Sequence, residues 1–249
     1  PEVSFRTVVD DSDFAPLFNS TIPALTTAER KIFGFTLFNN PGLTFAPNLN
    51  LPTPADYQLG PGDELVVDMW GSTQQYFRFQ VSAEGTIRPE NLGPIYVNGL
   101  TIKDAESRII NRLSQAYSGL VESGSDKPTI FYQLSLGNIR TISVDIIGEI
   151  KRPGLYSLPS LATVYTALHA AGGPTINGTF RDIKLVRNNK LISNIDIYSY
   201  LREGIRSGDQ RLKDGDVIIL NGYEKRVELG GEIRKGGMFE LIEGETIDD

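Results

Sequence analysis

The feature that most constrains this chain is a segment that occurs twice. Residues 148–158 read Gly-Glu-Ile-Lys-Arg-Pro-Gly-Leu-Tyr-Ser-Leu, and residues 231–241 read Gly-Glu-Ile-Arg-Lys-Gly-Gly-Met-Phe-Glu-Leu. The copies are offset by 231 − 148 = 83 residues, and at that offset Thr163-Val164 corresponds to Thr246-Ile247. A strand-rich unit that is marked by glycines and repeats in this way is typical of a small domain used more than once. We therefore expect residues 144–156 and 227–239 to share one backbone structure.

The first copy has the pattern of two strands joined by a turn. Ile142, Val144 and Ile146 alternate with polar neighbours, as the residues of a half-buried strand do. Gly148 interrupts this strand, which predicts a bulge or a close approach of another backbone segment. Pro153-Gly154 then supplies the residue types of a tight turn.

The composition limits the classes of function. The net charge of −7 and the pI near 4.9 argue against a nucleic-acid partner, because such partners are bound through Lys and Arg on phosphates. The chain has no cysteine, which removes disulfides and thiolate metal sites. No apolar run approaches the roughly 20 residues that a membrane-crossing helix needs.

The order of strand and helix patterns predicts an α+β fold with several small domains. Residues 1–56 are interpreted as a phenylalanine-rich strap over the surface of the following domain, with aromatic anchors at an interface as the alternative. Residues 57–137 form the first predicted compact domain and residues 138–223 the second. Residues 224–249 begin the second copy, which we expect to be truncated at the point where its helix should start.

The sequence contains no recognisable catalytic set. His169 is the only histidine, and its place on a predicted helix favours a structural role over general-base catalysis. The nucleophile-elbow and phosphate-loop patterns are missing from the sequence. We therefore predict no catalytic residue, no metal site and no cofactor.

Carboxylates require separate treatment, since glycoside cleavage needs only two of them. Asp63, Glu64 and Asp68 lie close together in the sequence, as do Asp214 and Asp216. Both groups stand at turn–strand junctions, where Asp commonly accepts hydrogen bonds from backbone N–H groups. Turn capping is therefore the favoured interpretation, and a glycosidase that uses Asp63 or Asp68 remains an alternative.

Two sets of residues are candidates for ligand binding. Trp70, followed by Gln74 and Tyr76, can stack on a sugar ring while neighbouring amides bind hydroxyls; the alternative is a Trp that packs under its own loop. Lys151-Arg152 and the equivalent Arg234-Lys235 are either solvated turn residues or a ring of charge that faces an anionic polymer or a neighbouring subunit.

Several of these motifs resemble one protein family. Tyr57-Gln58-Leu59-Gly60-Pro61-Gly62-Asp63 is similar to the opening of the first domain in bacterial outer-membrane polysaccharide export proteins of the Wza type. Residues 148–156, with Gly148, Glu149, Pro153 and Gly154, resemble the signature of soluble-ligand-binding β-grasp (SLBB) domains, and Ala171-Gly172-Gly173 resembles the end of their helix. The second copy departs from this signature, because Gly236-Gly237 replaces Pro-Gly.

The resemblance implies a small export domain followed by β-grasp-like SLBB domains. It implies a ring-shaped homo-oligomer, in the periplasm and associated with the outer membrane of a Gram-negative bacterium, that passes capsular or exopolysaccharide outward without catalysis. The implied partners are the polysaccharide cargo and an inner-membrane chain-length regulator of the tyrosine-kinase co-polymerase type. The family's lipidated cysteine and carboxy-terminal membrane segment are missing here, so membrane attachment would use other parts of the protein. A soluble saccharide-binding module is the alternative function.

Overall fold

A computed structural model of the chain describes residues 24–39, 54, 56–120, 128–232 and 236–246. The described helices are α1 (Thr27–Lys31), α2 (Ile102–Leu113), α3 (Val164–Ala170) and α4 (Ile197–Glu203). The described strands are β1 (Glu64–Gly71), β2 (Gln75–Gln80), β3 (Thr86–Ile87), β4 (Ile95–Tyr96), β5 (Ile130–Leu136), β6 (Thr141–Gly148), β7 (Gly154–Pro159), β8 (Gly178–Arg187), β9 (Lys190–Ile195), β10 (Asp216–Gly222), β11 (Lys225–Leu229) and β12 (Gly237–Leu241). This content confirms the predicted α+β class.

The described residues divide into two compact units. The first unit contains those between 54 and 140, and the second contains those between 24 and 39 and between 141 and 246. In the first unit, β1 pairs antiparallel with β2 on one side and with β5 on the other. Helix α2 begins at the N-cap Thr101, whose hydroxyl accepts a hydrogen bond from the Asp104 N–H at 3.2 Å.

The second unit is built on a five-stranded sheet in the order β7-β6-β10-β8-β9. Strand β10 runs parallel to β6, and the remaining neighbours are antiparallel. Alternation along β6 places Ile142, Val144 and Ile146 in the core, as the sequence predicted. Helix α3 buries its side chains in the same core.

Part of the amino-terminal segment also belongs to the core of the second unit. Ile32, Phe35, Leu37 and Phe38 are buried there together with side chains of the sheet and of α3. This differs from the expected strap over the domain that follows in sequence. The physical reason is that the short 3-10 helix Phe35–Asn39 presents a compact apolar cluster, which is more stable inside a core than on a wet surface. The phenylalanines at positions 5, 14, 18 and 45 lie outside the described residues.

The two copies of the repeat share one strand pairing. The antiparallel pairs of β6 with β7 recur 83 residues later in β11 with β12: Ile142↔Leu158 with Lys225↔Leu241, Val144↔Tyr156 with Val227↔Phe239, and Ile146↔Gly154 with Leu229↔Gly237. Gly148 and Gly231 both have a φ of 92°. The expectation of a common backbone is confirmed for these strands, while the turn residues 233–235 lie outside the described part of the chain.

The copies differ in what lies beside them. In the first copy, β10 pairs with β6, whereas β11 forms a sheet with β12 alone among the described strands. The outer edge of β12 is occupied, because the Phe33 N–H donates to the Met238 carbonyl at 2.9 Å and Ile32 forms a parallel bridge with Met238. Strands β11 and β12 therefore form a two-stranded sheet within the second unit.

Candidate functional sites

The turn that opens the first unit is organised by a buried carboxylate. Asp63 has no exposed surface, and its side chain accepts hydrogen bonds from the Tyr57 hydroxyl at 2.7 Å and the Gly60 N–H at 2.8 Å. Arg140 adds its backbone N–H at 3.0 Å and its guanidinium group. The prediction that Asp63 caps its turn is confirmed. A carboxylate held in this way is not placed to exchange protons with a polymer.

The same device occurs before β10. Asp216 is also fully buried and accepts from the Lys213 N–H at 2.8 Å and from Nε and Nη2 of Arg187, both at 2.7 Å. This bidentate hydrogen bond raises the pKa of Arg187 further. The Lys213 N–H bond confirms turn capping by Asp216. Asp214 instead accepts from the N–H of Ser143 on β6 at 2.8 Å, so it joins the turn to a distant strand.

Sequence reasoning missed both arginines. Arg140 lies 77 residues after Asp63, and Arg187 lies 29 residues before Asp216. A buried Asp after a turn glycine signals that some cation must neutralise it, because a buried unpaired charge is costly. The identity of that cation follows only from the pairing of distant strands.

Trp70 lies on a solvent-facing surface of the first sheet. Its side chain is 42% exposed and stacks on Phe131 of β5, with ring centroids 6.3 Å apart and an angle of 24° between the planes. Phe131 is itself 53% exposed. Trp70 therefore packs beside a neighbouring strand and not under its own loop. The sequence alone did not indicate that Phe131 contacts Trp70, because this pairing depends on the β1–β5 register.

Strand register extends this surface across the sheet. Asp68 pairs with Tyr76 of β2 on one side and with Gln133 of β5 on the other. Tyr76 is 54% exposed, and the Arg78 guanidinium lies 5.5 Å from the centroid of its ring. Gln74 is exposed in the turn between β1 and β2. We name Trp70, Phe131, Asp68, Gln133, Tyr76 and Arg78 the aromatic face.

Lys151 and Arg152 are held within the second unit. Lys151 lies 3.5 Å from the Glu29 carboxylate and 4.6 Å from the centroid of the Phe35 ring. Arg152 donates from Nη2 to the Ala170 carbonyl at the end of α3, at 2.6 Å. Both side chains thus make contacts within the unit, which neither the solvated-turn interpretation nor the ring-of-charge interpretation included. The equivalent Arg234 and Lys235 lie outside the described residues.

The glycines of the repeat signature serve close packing. A Cβ atom on Gly148 would lie 2.0 Å from the Leu220 carbonyl oxygen, which confirms the predicted close backbone approach. A Cβ atom on Gly173 would lie 2.4 Å from the Phe38 ring, and Gly172 has a φ of 84°. Glu149 accepts from the Thr175 hydroxyl at 2.7 Å. These signature residues therefore have structural roles in the second unit.

The hairpin β11–β12 is fixed to the second unit by a buried carboxylate. Glu240 accepts from the Thr179 hydroxyl and from the Phe180 N–H at 2.9 Å, and its own N–H donates to the Tyr198 hydroxyl at 2.9 Å. Arg226 lies 3.9 Å from the same carboxylate. Burial raises the pKa of Glu240 above its ordinary value, and the hydrogen bonds and nearby arginines oppose this shift only in part.

The only histidine of the chain has a structural position. His169 is buried on α3, inside the helical face that packs on the core. Within the described ranges, no group of three or more His, Cys, Asp or Glu side chains has the arrangement of a metal site. No helix among those residues has the length and apolarity to cross a membrane.

Two parts of the chain match family models of known proteins. Residues 51–122 match the family model described as polysaccharide biosynthesis/export protein, and residues 143–194 match the SLBB domain. Two Escherichia coli proteins, both named polysialic acid transport protein KpsD, are 26% identical to this chain over 235 residues. The match covers 94% of this chain and 40% of each relative.

The two matched segments occur in the order that the sequence motifs predicted. The first contains the turn from Tyr57 to Asp63 and helix α2, and the second contains most of the five-stranded sheet and α3. The chain spans 40% of the length of the curated relatives. The two matched domains therefore support a polysaccharide export protein of the type that the sequence motifs resemble.

Proposed function

We propose that this chain is the periplasmic part of an exporter that passes capsular or exopolysaccharide through the outer membrane of a Gram-negative bacterium. Copies of the chain form a ring, and the ring guides the polymer without making or breaking its bonds. The partners are the polysaccharide, further copies of the chain and an inner-membrane chain-length regulator.

The observation that carries this proposal is the export-family domain followed directly by an SLBB domain. Two relatives that match the chain over 235 residues are named as transport proteins for polysialic acid. Of the two carboxylates considered for a glycosidase, Asp63 is buried and paired with Arg140, whereas Asp68 is half-buried on the aromatic face. A passive conduit is consistent with these features, because a channel must bind its cargo weakly enough to release it.

An apolar surface supports association between copies. The side of the five-stranded sheet opposite the core carries Ile147, Leu155, Val186, Leu191, Val217 and Ile219, which we name the outer face. Leu155 is 68% exposed and Leu191 is 60% exposed. Asp145 and Lys184 lie on the same side of the sheet, next to these aliphatic side chains. A largely aliphatic exposed surface of this kind is typical of an interaction site. We assign it to a contact with a second copy of the chain.

The proposal is tested by imaging the natural full-length protein in a membrane mimic. Closed rings are expected, with the described units arranged around a central opening. A strain that lacks the gene should retain its polymer inside the cell, and the reintroduced gene should restore surface polysaccharide. Persistent monomers together with normal export in the deletion strain would contradict the proposal.

A saccharide-binding module is the second candidate function, and the aromatic face favours it. Trp70 and Phe131 expose stacked rings beside polar side chains on an open sheet surface. This candidate and the conduit are compatible, because one surface of a conduit can contact the passing polymer.

A further inference from the structure

We infer that the aromatic face is a binding surface for uncharged pyranose rings of a polysaccharide. The identity of the natural polymer rests on the proposed function. The type of ligand that the surface can bind is argued from the residues of the surface alone. The face belongs to the first unit, whereas the repeat signature lies in the second.

The first step concerns the aromatic rings. The ring planes of Trp70 and Phe131 are nearly parallel, with 24° between them, and the two residues lie on neighbouring strands that pair directly. Together they offer an extended apolar platform that is still partly open to water. The C–H face of a pyranose ring is flat and apolar, so its transfer from water onto such a platform is favourable.

The second step concerns the polar groups. Asp68 and Gln133 form one cross-strand pair next to the Trp70–Phe131 pair, two residues away along each strand. A carboxylate accepts hydrogen bonds, while an amide both donates and accepts them. Hydroxyl groups at the rim of a sugar ring need both kinds of partner. The apolar platform therefore matches the C–H face of a sugar ring, and the polar groups match its hydroxyl groups.

The third step concerns charge. Arg78 lies 3.1 Å from the Glu64 carboxylate, so the cation of this surface is already paired. Asp68 then leaves the surface with a negative charge, on a chain whose net charge is −7. Acidic sugars would meet repulsion that neutral sugars do not. The aromatic face is thus matched to neutral rings, and we exclude uronic and sialic acids as its preferred ligands.

Trp70 makes the test direct, because it is the only tryptophan in the chain. The probe is a series of neutral oligosaccharides, namely malto-, cello- and dextran oligomers, titrated into the 249-residue chain while its tryptophan fluorescence is recorded. At least one neutral series is expected to change the emission in a saturable way, with millimolar affinity as suits a transient contact. Oligogalacturonate and oligosialic acid of the same length are expected to bind more weakly.

Variants identify the surface. Phe131→Ala and Gln133→Ala are each expected to weaken binding about fivefold or more, as the loss of a central contact does. Tyr96→Ala is the matched control, because Tyr96 is another exposed aromatic of the same unit but lies on β4 in a separate sheet. It should leave the affinity unchanged. Circular dichroism of each variant confirms that the fold is kept.

Several results would overturn the inference: unchanged emission with every oligosaccharide, tighter binding of the acidic ones, or equal losses in Phe131→Ala and Tyr96→Ala. A blue shift that depends on protein concentration alone would also overturn it, since the face would then be a contact between copies. None of these outcomes affects the proposed export function, which is judged by ring formation and by the deletion strain. The opposite combination is also informative. If the chain binds sugars saturably but the deletion strain exports normally, the binding site is supported and the proposed export function is contradicted.

Discussion

At the scale of single residues, buried Asp–Arg pairs hold the turns at the start of two strands. Asp63 with Arg140 and Asp216 with Arg187 have the same arrangement: a glycine turn, a buried carboxylate that accepts a backbone N–H, and a guanidinium from a distant segment. The desolvation of each carboxylate is offset because several donors surround it.

Arg140→Met is expected to destabilise the first unit by about 3 kcal/mol, because it leaves the buried Asp63 charge without its cation. The measurement is urea unfolding followed by Trp70 fluorescence, which reports on the same unit. Arg78→Met is the matched control and should cost less than about 1 kcal/mol, since its pair with Glu64 is partly exposed. Equal losses in the two variants would contradict the role assigned to Asp63.

At the scale of elements, the repeat shows how one hairpin behaves in two environments. Gly148 and Gly231 have the same φ of 92°, which favours glycine in both copies. The Leu220 carbonyl of β10 lies against Gly148, whereas no described atom comes within 4 Å of a Cβ placed on Gly231. A substitution at Gly231 therefore tests backbone strain alone, whereas a substitution at Gly148 tests strain together with steric crowding.

Gly148→Ala is expected to destabilise the second unit by about 3 kcal/mol or more, because strain and a clash with β10 add together. Gly231→Ala should cost about 1 kcal/mol from the φ value alone. Thermal unfolding followed by circular dichroism compares the two. If Gly231→Ala proved as damaging as Gly148→Ala, the close approach of Leu220 would not be the cause.

The docking of the β11–β12 hairpin should depend on pH through Glu240. Its folded pKa is raised above the ordinary 4.5 by burial, so the folded state binds a proton more tightly than the unfolded state. The stabilisation from this group is complete below about pH 4.5 and is lost as the pH rises through the folded pKa. Each unit of raised pKa corresponds to about 1.4 kcal/mol.

Glu240→Gln removes this titration while it keeps an acceptor for the Phe180 N–H and a polar group for Thr179. The stability of the natural chain relative to the variant is therefore expected to fall as the pH rises above about 4.5 and through the raised folded pKa. Chemical unfolding at several pH values measures this difference. A constant difference across the range would show that Glu240 is not protonated in the fold.

At the scale of the whole molecule, the outer face links the fold to assembly. An exposed aliphatic surface on a sheet is costly in water unless a partner covers it. Rings of identical subunits require two different surfaces that fit each other, and the outer face offers one of them. The aromatic face can then remain open to the polymer.

Leu155→Asp and Leu191→Asp are expected to shift the full-length protein from rings toward monomers, because each places a charge in an apolar contact. Sedimentation or light scattering gives the assembled mass. Ile205→Asp is the matched control, since Ile205 is also exposed in the second unit but follows α4 and lies outside the sheet. If the control also lost assembly, or if all variants still formed rings, the contact between copies would not be on the outer face.

The sequence by itself determined the elements and the repeat. Alternating Ile142, Val144 and Ile146 predicted a half-buried strand, Gly148 predicted a close approach, and Asp63 and Asp216 predicted capped turns, because these are local consequences of side-chain period and turn chemistry. Tertiary structure alone decided which distant residues meet. The partnerships of Trp70 with Phe131 and of Asp63 with Arg140, and the burial of Phe35 and Phe38 in the second unit, follow from strand register and packing. Such contacts join residues far apart in sequence, and no local periodicity records them.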